Sequence, residues 1–439
     1  MTINIRNILL LDEFLQSCRM IMQDKWKYLF LFFQFFIFAD MWKYCRADEI
    51  LLLNCALSGL LALHRKVEWN KVAIVMLVCC LVFLIPIIKY GLDSMTISQN
   101  LGYLIRILTA CFIASYYRRD FIVKFENLVF ILAYISIPLY IIQLIDPHLF
   151  DIFTSLSKAI MEGRQGYDTP NGITMHQYLV IFVMNGWAQI RNSGFMWEPA
   201  SFGAMLSWAC LMSMYLHSFR LRPRIIIYAV AIISTFSLGT YFYAFLLLLL
   251  FMLQNSSVKQ TLMVSVFLLV TFYMFSETDF FEEPRNMMLE KAEIYMNTSE
   301  TELELSEENF LADETKIKRV NRLAQFFIIG EFILEDPFGR GMASWKYSSG
   351  NGFIRLLVMF GLGGLFLLFF LSRKMVKYLG SFLRVKYVQR RQIVVFSSML
   401  VLMLPLVGNP IYNQVLWLTI LIYPIFAKPY TYCNLYERS

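Results

Sequence analysis

Arginines stand in two long polar stretches of a chain that is otherwise strongly apolar. Arg164 and Arg191 fall in residues 146–198, and Arg319, Arg322 and Arg340 fall in residues 277–350. A guanidinium is a planar fork of donors that stays charged at any working pH and matches the oxygens of a phosphate or pyrophosphate. Cations held just outside the hydrocarbon suit a membrane enzyme acting on a lipid-linked anion. A transporter usually keeps its functional groups among its helices.

The segment Arg191-Asn192-Ser193-Gly194-Phe195-Met196-Trp197-Glu198-Pro199 carries the densest chemistry. Pro199 is placed for the first turn of a helix, which puts Glu198 at that helix's N-terminus. Gly194 is expected to let the backbone approach a ligand closely. The plainer alternative is that Arg191 snorkels to lipid phosphates and Glu198 only offsets the helix dipole. Arg319 and Arg322, three apart, project from one helix face, either toward an anionic substrate or as a basic face for headgroups. Arg106 lies inside an apolar run, where an arginine costs at least about 2.5 kcal/mol on insertion scales. It therefore needs a wet cavity or a partner, with Glu126 or Gln143 as candidates. His176 follows the turn-rich Pro170-Asn171-Gly172, as a surface histidine or a proton-transfer group. No CxxC or HExxH spacing occurs and the histidines are scattered, so neither a protein-built metal site nor a cofactor is expected. The cysteines lie mostly in apolar runs and offer no outward disulfide framework.

These groups must be positioned by membrane helices. The 439 residues are 58% hydrophobic and 16% aromatic, with mean hydropathy +0.56, which excludes an ordinary soluble domain. The net charge of +7 sits mainly in short connections and is not a nucleic-acid signature. Apolar runs at 28–44, 49–63, 72–90, 99–117, 124–145, 199–218, 225–238, 240–254, 260–276, 351–372, 393–408 and 410–427 predict an all-α polytopic protein of about twelve spans. The stretch 225–254 is read as two short helices broken at Ser234–Thr240. Only then do Arg65, Lys66 and Lys71, Arg118, Arg119 and Lys124, Arg220, Arg222 and Arg224, and the 373–391 cluster share one side.

The resulting division is a cytoplasmic N-terminus at 1–27, spans at 28–145, a large outward loop at 146–198 and spans at 199–276. A second outward loop follows at 277–350, with an amphipathic helix at 316–335, then spans at 351–427 and a cytoplasmic C-terminus at 428–439. Residues 1–25 lack a cleavable signal pattern. No internal repeat is visible, which argues mildly against a transporter.

Several of these motifs resemble those of the bacterial O-antigen polymerase/ligase superfamily. Arg191-x-x-Gly194-Phe195-x-x-x-Pro199 resembles its pattern before the central span. Ser234-Thr235-Phe236-Ser237 resembles its Thr-x-Ser break between two short helices. Arg322-Leu323-Ala324-Gln325-Phe326, followed by Asp336-Pro337-Phe338-Gly339-Arg340-Gly341, is similar to its outward-loop arginine and Pro-x-Gly-x-Gly turn. Asn351, then Gly361 and Gly364, resemble the ligase signature, although Gly350 stands where a ligase has histidine and Leu238 where an arginine often follows the break.

The resemblance implies a helical enzyme of the architecture of the lipid-sugar glycosyltransferases, extending surface polysaccharide in a bacterial inner membrane. Its donor and acceptor would be undecaprenyl-pyrophosphate-linked oligosaccharides, joined without a metal, and a chain-length regulator is a possible partner protein. Arg191 and Arg322 would be the pyrophosphate clamps and Glu198 the base. Arg319, Arg164, Arg340, Asn351, Arg106 and His176 would be substrate-binding candidates. A ligase and a non-enzymatic flippase are the alternatives; the Gly350 departure favours the polymerase, and the loop-borne cations disfavour the flippase.

Overall fold

The structure is a computed structural model. It describes residues 2–39, 47–91, 94–153, 167–169, 172–174, 177–178, 181–184, 191–255, 333–341, 352–383, 391–408 and 414–427. The described chain is predominantly helical: α1 (Thr2–Gln23), α2 (Lys25–Phe38), α3 (Asp48–His64), α4 (Trp69–Tyr90), α5 (Ser94–Tyr117), α6 (Phe121–Ile145), α7 (Pro199–Leu216), α8 (Pro223–Ser234), α9 (Leu238–Asn255), α10 (Gly352–Leu379), α11 (Arg391–Met403) and α12 (Val415–Phe426). Two small antiparallel ladders lie between α6 and α7. β1 (Tyr167–Thr169) pairs with β2 (Gly172–Thr174), and β3 (Gln177–Tyr178) with β4 (Val183–Met184). The expected span at 260–276 and the amphipathic helix over 316–332 lie outside the described residues; residues 333–335 are helical and the helix stops at Asp336.

Five helical segments are long and apolar enough to cross a bilayer by length and composition: 69–89, 97–117, 121–145, 238–255 and 352–382. This is a helical membrane protein. Such helices satisfy every backbone donor internally, which hydrocarbon demands. Pro199 and Pro223 open α7 and α8 at the first turn, where a missing N–H costs nothing. α7 is buried on nearly its whole circumference, from Pro199 to Tyr215, and forms the centre of a group with α6, α8 and α9. On the other side α5 packs between α3 and α12, and α12 also packs on α10. Within the apolar interior Gln34 and Asn54 exchange amide hydrogen bonds of 2.8 and 3.0 Å, joining α2 to α3.

Hydrogen bonds and ion pairs tie the basic connections to one end of the bundle. Arg118 donates to the carbonyls of Arg65 and Lys66, Lys27 pairs with Asp120 at 2.6 Å, and Lys124 pairs with Asp24 at 2.5 Å. Arg224 reaches α1, donating to Ser17 Oγ at 2.7 Å. Asn255 Nδ2, at the end of α9, donates to the Phe219 carbonyl at 2.9 Å, just before α8 begins. The chain therefore leaves along α8 and returns along α9 to the end where it started. The break between them falls at residues 235–237, with Phe236 at φ +43°.

One pairing expected from the sequence is replaced by another. Glu126, suggested as the partner of Arg106, belongs instead to Arg224, whose Nη1 lies 2.7 Å from Glu126 Oε2. Tyr228 Oη adds a hydrogen bond of 3.2 Å to the same carboxylate. Arg106 itself is half-buried on α5, with Nη1 folded back over Gly102, toward the helix N-terminus as the Cα–Cβ direction dictates.

α10 leaves helical geometry at Gly361 (φ +56°, ψ −152°), a backbone region open essentially to glycine alone. The turn Asp336–Gly341 docks into this kink: Leu362 N donates to Pro337 O at 2.8 Å and Arg340 N to Val358 O at 2.8 Å. A Cβ on Gly361 would overlap Pro337 O and stand 2.5 Å from Gly339 N, both backbone atoms that cannot swing aside. Gly363, two residues on, has open space where a Cβ would go. Gly361→Ala is therefore expected to lower the unfolding midpoint in mild detergent by several degrees, while Gly363→Ala leaves it unchanged or slightly raised.

Candidate functional site

The segment from Arg191 to Glu198 is clamped onto the break between α8 and α9, and Asn192 is the clamp. Its backbone N–H donates to Ser234 O at 2.9 Å, and its amide Nδ2 donates to Ser234 Oγ at 2.9 Å and Ser136 Oγ at 3.5 Å. Its Oδ1 accepts from Gly194 N at 2.8 Å, closing a local turn. Val183 N then donates to Gly194 O at 2.5 Å, tying β4 to the same turn. All these groups are buried, so each hydrogen bond removes an otherwise costly orphan.

Gly194 is required here, though for a different reason from the one expected. It sits at φ +53°, and the Phe202 ring occupies the space a Cβ would need, with two of its carbons 2.5 and 2.6 Å from that position. The close approach is to this aromatic ring of α7. Phe202 in turn stands edge-on to Phe195, and Phe195 edge-on to Phe35 of α2, each with centroids 5.7 Å apart. The loop is thus seated on the helical core.

Arg191 heads this seated loop. Its Nε donates to Thr235 O at 3.1 Å, a carbonyl freed by the end of α8. Among the described residues its two terminal amino groups hold no hydrogen bond. Desolvation pulls its pKa below the ordinary arginine value, opposed by the nearby Glu198 carboxylate and the Tyr241 phenol. Glu198 is the extended residue (φ −125°, ψ 142°) that precedes the first turn of α7, as expected, and makes no side-chain cap hydrogen bond. Arg191 and Glu198 therefore share one electrostatic neighbourhood, at the opposite end of α8 and α9 from the basic connections.

An apolar cluster adjoins this neighbourhood through Tyr241. Tyr140, Phe150, Phe182, Met184 and Phe236 form a separate buried cluster, with Tyr241 packed against it. Tyr241 Oη donates to Ile233 O at 2.7 Å, satisfying another terminal carbonyl of α8. A guanidinium bordered by a carboxylate and an apolar wall can hold an anionic oxygen in reduced dielectric, where charge stabilisation is strong.

The other candidates are placed differently. Arg340 is engaged by Asp336 at 2.7 Å and lies 3.9 Å from Glu335, and Lys89 at the end of α4 pairs with the same buried Asp336. Its guanidinium thus fixes the turn that docks on Gly361. Arg106 is on α5. Arg164, His176, Arg319, Arg322 and Asn351 lie outside the described residues. Sequence reasoning overlooked Asn192, Tyr140, Tyr241 and Arg355. Asn192 was legible in principle, being next to Arg191 and before a glycine. Arg355 lies in the first turn of α10, and its buried Nε has no hydrogen bond partner among the described residues.

Two pairs of motifs, far apart in the chain, meet in the fold. Arg191–Gly194 meets Ser234–Thr235, and Asp336–Gly341 meets Gly361. No family model, curated protein or solved structure matches the chain, so this geometry is what the functional interpretation rests on.

Proposed function

We propose that this protein is a surface-polysaccharide polymerase: a membrane glycosyltransferase that moves a growing glycan from its polyprenyl-pyrophosphate carrier to the next lipid-linked repeat unit. The observation that carries this reading is the desolvated Arg191 guanidinium, held at the α8–α9 break with Glu198 acting on it. The seating of the Arg191 motif on the helix break adds support, because both segments resemble patterns of the polymerase/ligase superfamily.

In this mechanism the acceptor hydroxyl loses its proton to the Glu198 carboxylate and attacks the donor's anomeric carbon with inversion. The bond from that carbon to the pyrophosphate oxygen breaks, and negative charge develops on the leaving oxygen. Arg191 stabilises that charge by preorganised donors, which act most strongly where water is excluded. Arg322, outside the described residues, is proposed as the second clamp, with Arg319 and Arg164 as secondary candidates. The architecture is that of the lipid-sugar glycosyltransferases, about twelve spans with both termini cytoplasmic and both large loops outside the inner membrane.

Mass analysis of lipid-linked glycans in a deletion strain tests the reaction. The expected result is accumulation of single repeat units on the lipid carrier and on the surface anchor, with loss of longer chains. Long chains retained on the carrier but absent from the surface would make the protein a ligase, and repeats trapped on the cytoplasmic face would make it a flippase.

A further inference from the structure

α1 presents three stripes to three surroundings. Phe14, Ser17, Cys18 and Ile21 recur at helical spacing and pack on the bundle, where Phe14 stacks on Tyr134 with centroids 4.4 Å apart. Asn127 Nδ2 donates to Ser17 O at 3.3 Å and Arg224 to Ser17 Oγ at 2.7 Å, fixing the helix in that orientation. Asp12, Gln16, Arg19 and Gln23 form a second stripe, all exposed and polar. Leu11, Leu15 and Met22 form a third, and they are 50%, 44% and 77% exposed. Water would not favour this third stripe, and the polar stripe would not tolerate the hydrocarbon interior.

The apolar stripe does not end with α1. It runs through Trp26, 71% exposed, onto Leu29 of the strongly apolar α2, which is also exposed. The exposed cations Arg19, Lys25, Arg65, Arg118 and Arg220 share this end of the bundle. An exposed apolar stripe on α1, an exposed tryptophan just beyond it and cations at the same end of the bundle fit the headgroup–acyl boundary of an anionic leaflet.

We propose that α1 is an interfacial helix lying in that boundary, and that the basic end of the protein binds anionic phospholipid through it. Each Lys or Arg near such a surface adds electrostatic attraction, and the leucines and methionine add burial. The orientation follows directly: Leu11, Leu15 and Met22 face the acyl chains, and Asp12, Gln16 and Gln23 face water.

The test uses the full-length protein with p-benzoylphenylalanine placed singly at Leu11, Leu15, Met22, Asp12, Gln16 or Gln23. Each variant is reconstituted in vesicles of phosphatidylethanolamine and phosphatidylglycerol and irradiated. Lipid adducts are expected at Leu11, Leu15 and Met22 and lost at Asp12, Gln16 and Gln23, with phosphatidylglycerol enriched in the adducts over its share of the vesicle. Adducts between two copies of the chain at the apolar positions would overturn the proposal, as would equal lipid labelling on both stripes. Labelling without phosphatidylglycerol enrichment would overturn the anionic preference. The probe adds an apolar ring at an exposed position, and unfolding midpoints equal to that of the parent protein establish that each variant is folded.

Discussion

Arg191→Ala is expected to abolish long-chain polysaccharide while leaving the protein in the membrane at its normal abundance. Loss of one preorganised donor to a developing oxyanion costs roughly 10²–10³ in rate. Polymerisation compounds the loss, because a long chain requires many successive transfers. Arg191→Lys should fail nearly as badly, since a compact ammonium does not replace a planar fork and its shorter reach forfeits the Thr235 carbonyl. A merely structural arginine predicts a different pattern. The loop is held by Asn192, which makes hydrogen bonds to Ser234, Ser136 and Gly194. Arg191→Ala should therefore leave the unfolding midpoint almost unmoved, while Asn192→Ala lowers it. Normal chain length in Arg191→Ala membranes contradicts the clamp. A large fall in stability with residual activity in proportion to folded protein makes the arginine structural.

The largest effect on stability is expected at Arg224. Its guanidinium is 2.7 Å from Glu126, whose residue is only 2% exposed, and 3.4 Å from Glu13 of α1. The same group holds Ser17 and lies 4.6 Å above the Phe130 ring. Arg224→Leu leaves the Glu126 carboxylate buried without its counter-ion, a change that costs about 3–5 kcal/mol where buried pairs are broken. It also removes one of the contacts that hold α1, so the helix should loosen and its amides should exchange faster. Removing both charges by Arg224→Leu with Glu126→Leu should recover much of the loss, because a buried pair stabilises far less than a broken pair destabilises. Unfolding midpoints in mild detergent, with hydrogen exchange on α1, measure both effects. A single variant as stable as the parent would show that water reaches Glu126.

Much of the helical layout was legible because hydrocarbon imposes a length and composition rule that few other environments impose. The proline at the start of α7 and the polar break at Ser234–Ser237 marked boundaries by mechanism, since each acts on the backbone locally. α1 was not recognised as a helix. Its apolar residues divide between a core-facing stripe and an exposed stripe, with charges between, so no window of sequence is uniformly apolar. The partner of Glu126 was missed because Arg224 is 98 residues away, and sequence order carries no distance across a bundle. Gly194 was expected to let the backbone approach a ligand; which neighbour takes its Cβ space depends on packing, and in the fold it is Phe202. At the candidate site, Arg191 and Glu198 were legible because their spacing puts both beside one helix start. The wall formed by Tyr140, Phe182 and Tyr241 was not, because its members come from separate elements.

In the proposed reaction a glycan is joined and a pyrophosphate carrier is released at Arg191. Reconstituting the purified protein in vesicles with lipid-linked repeat units, and following both products together, reads that reaction alone. The expected result is a ladder of lengthening glycan, with polyprenyl pyrophosphate released in equal number to the bonds formed, and neither product from Arg191→Ala. Repeat units that cross the bilayer unchanged, with no pyrophosphate carrier released, would contradict it.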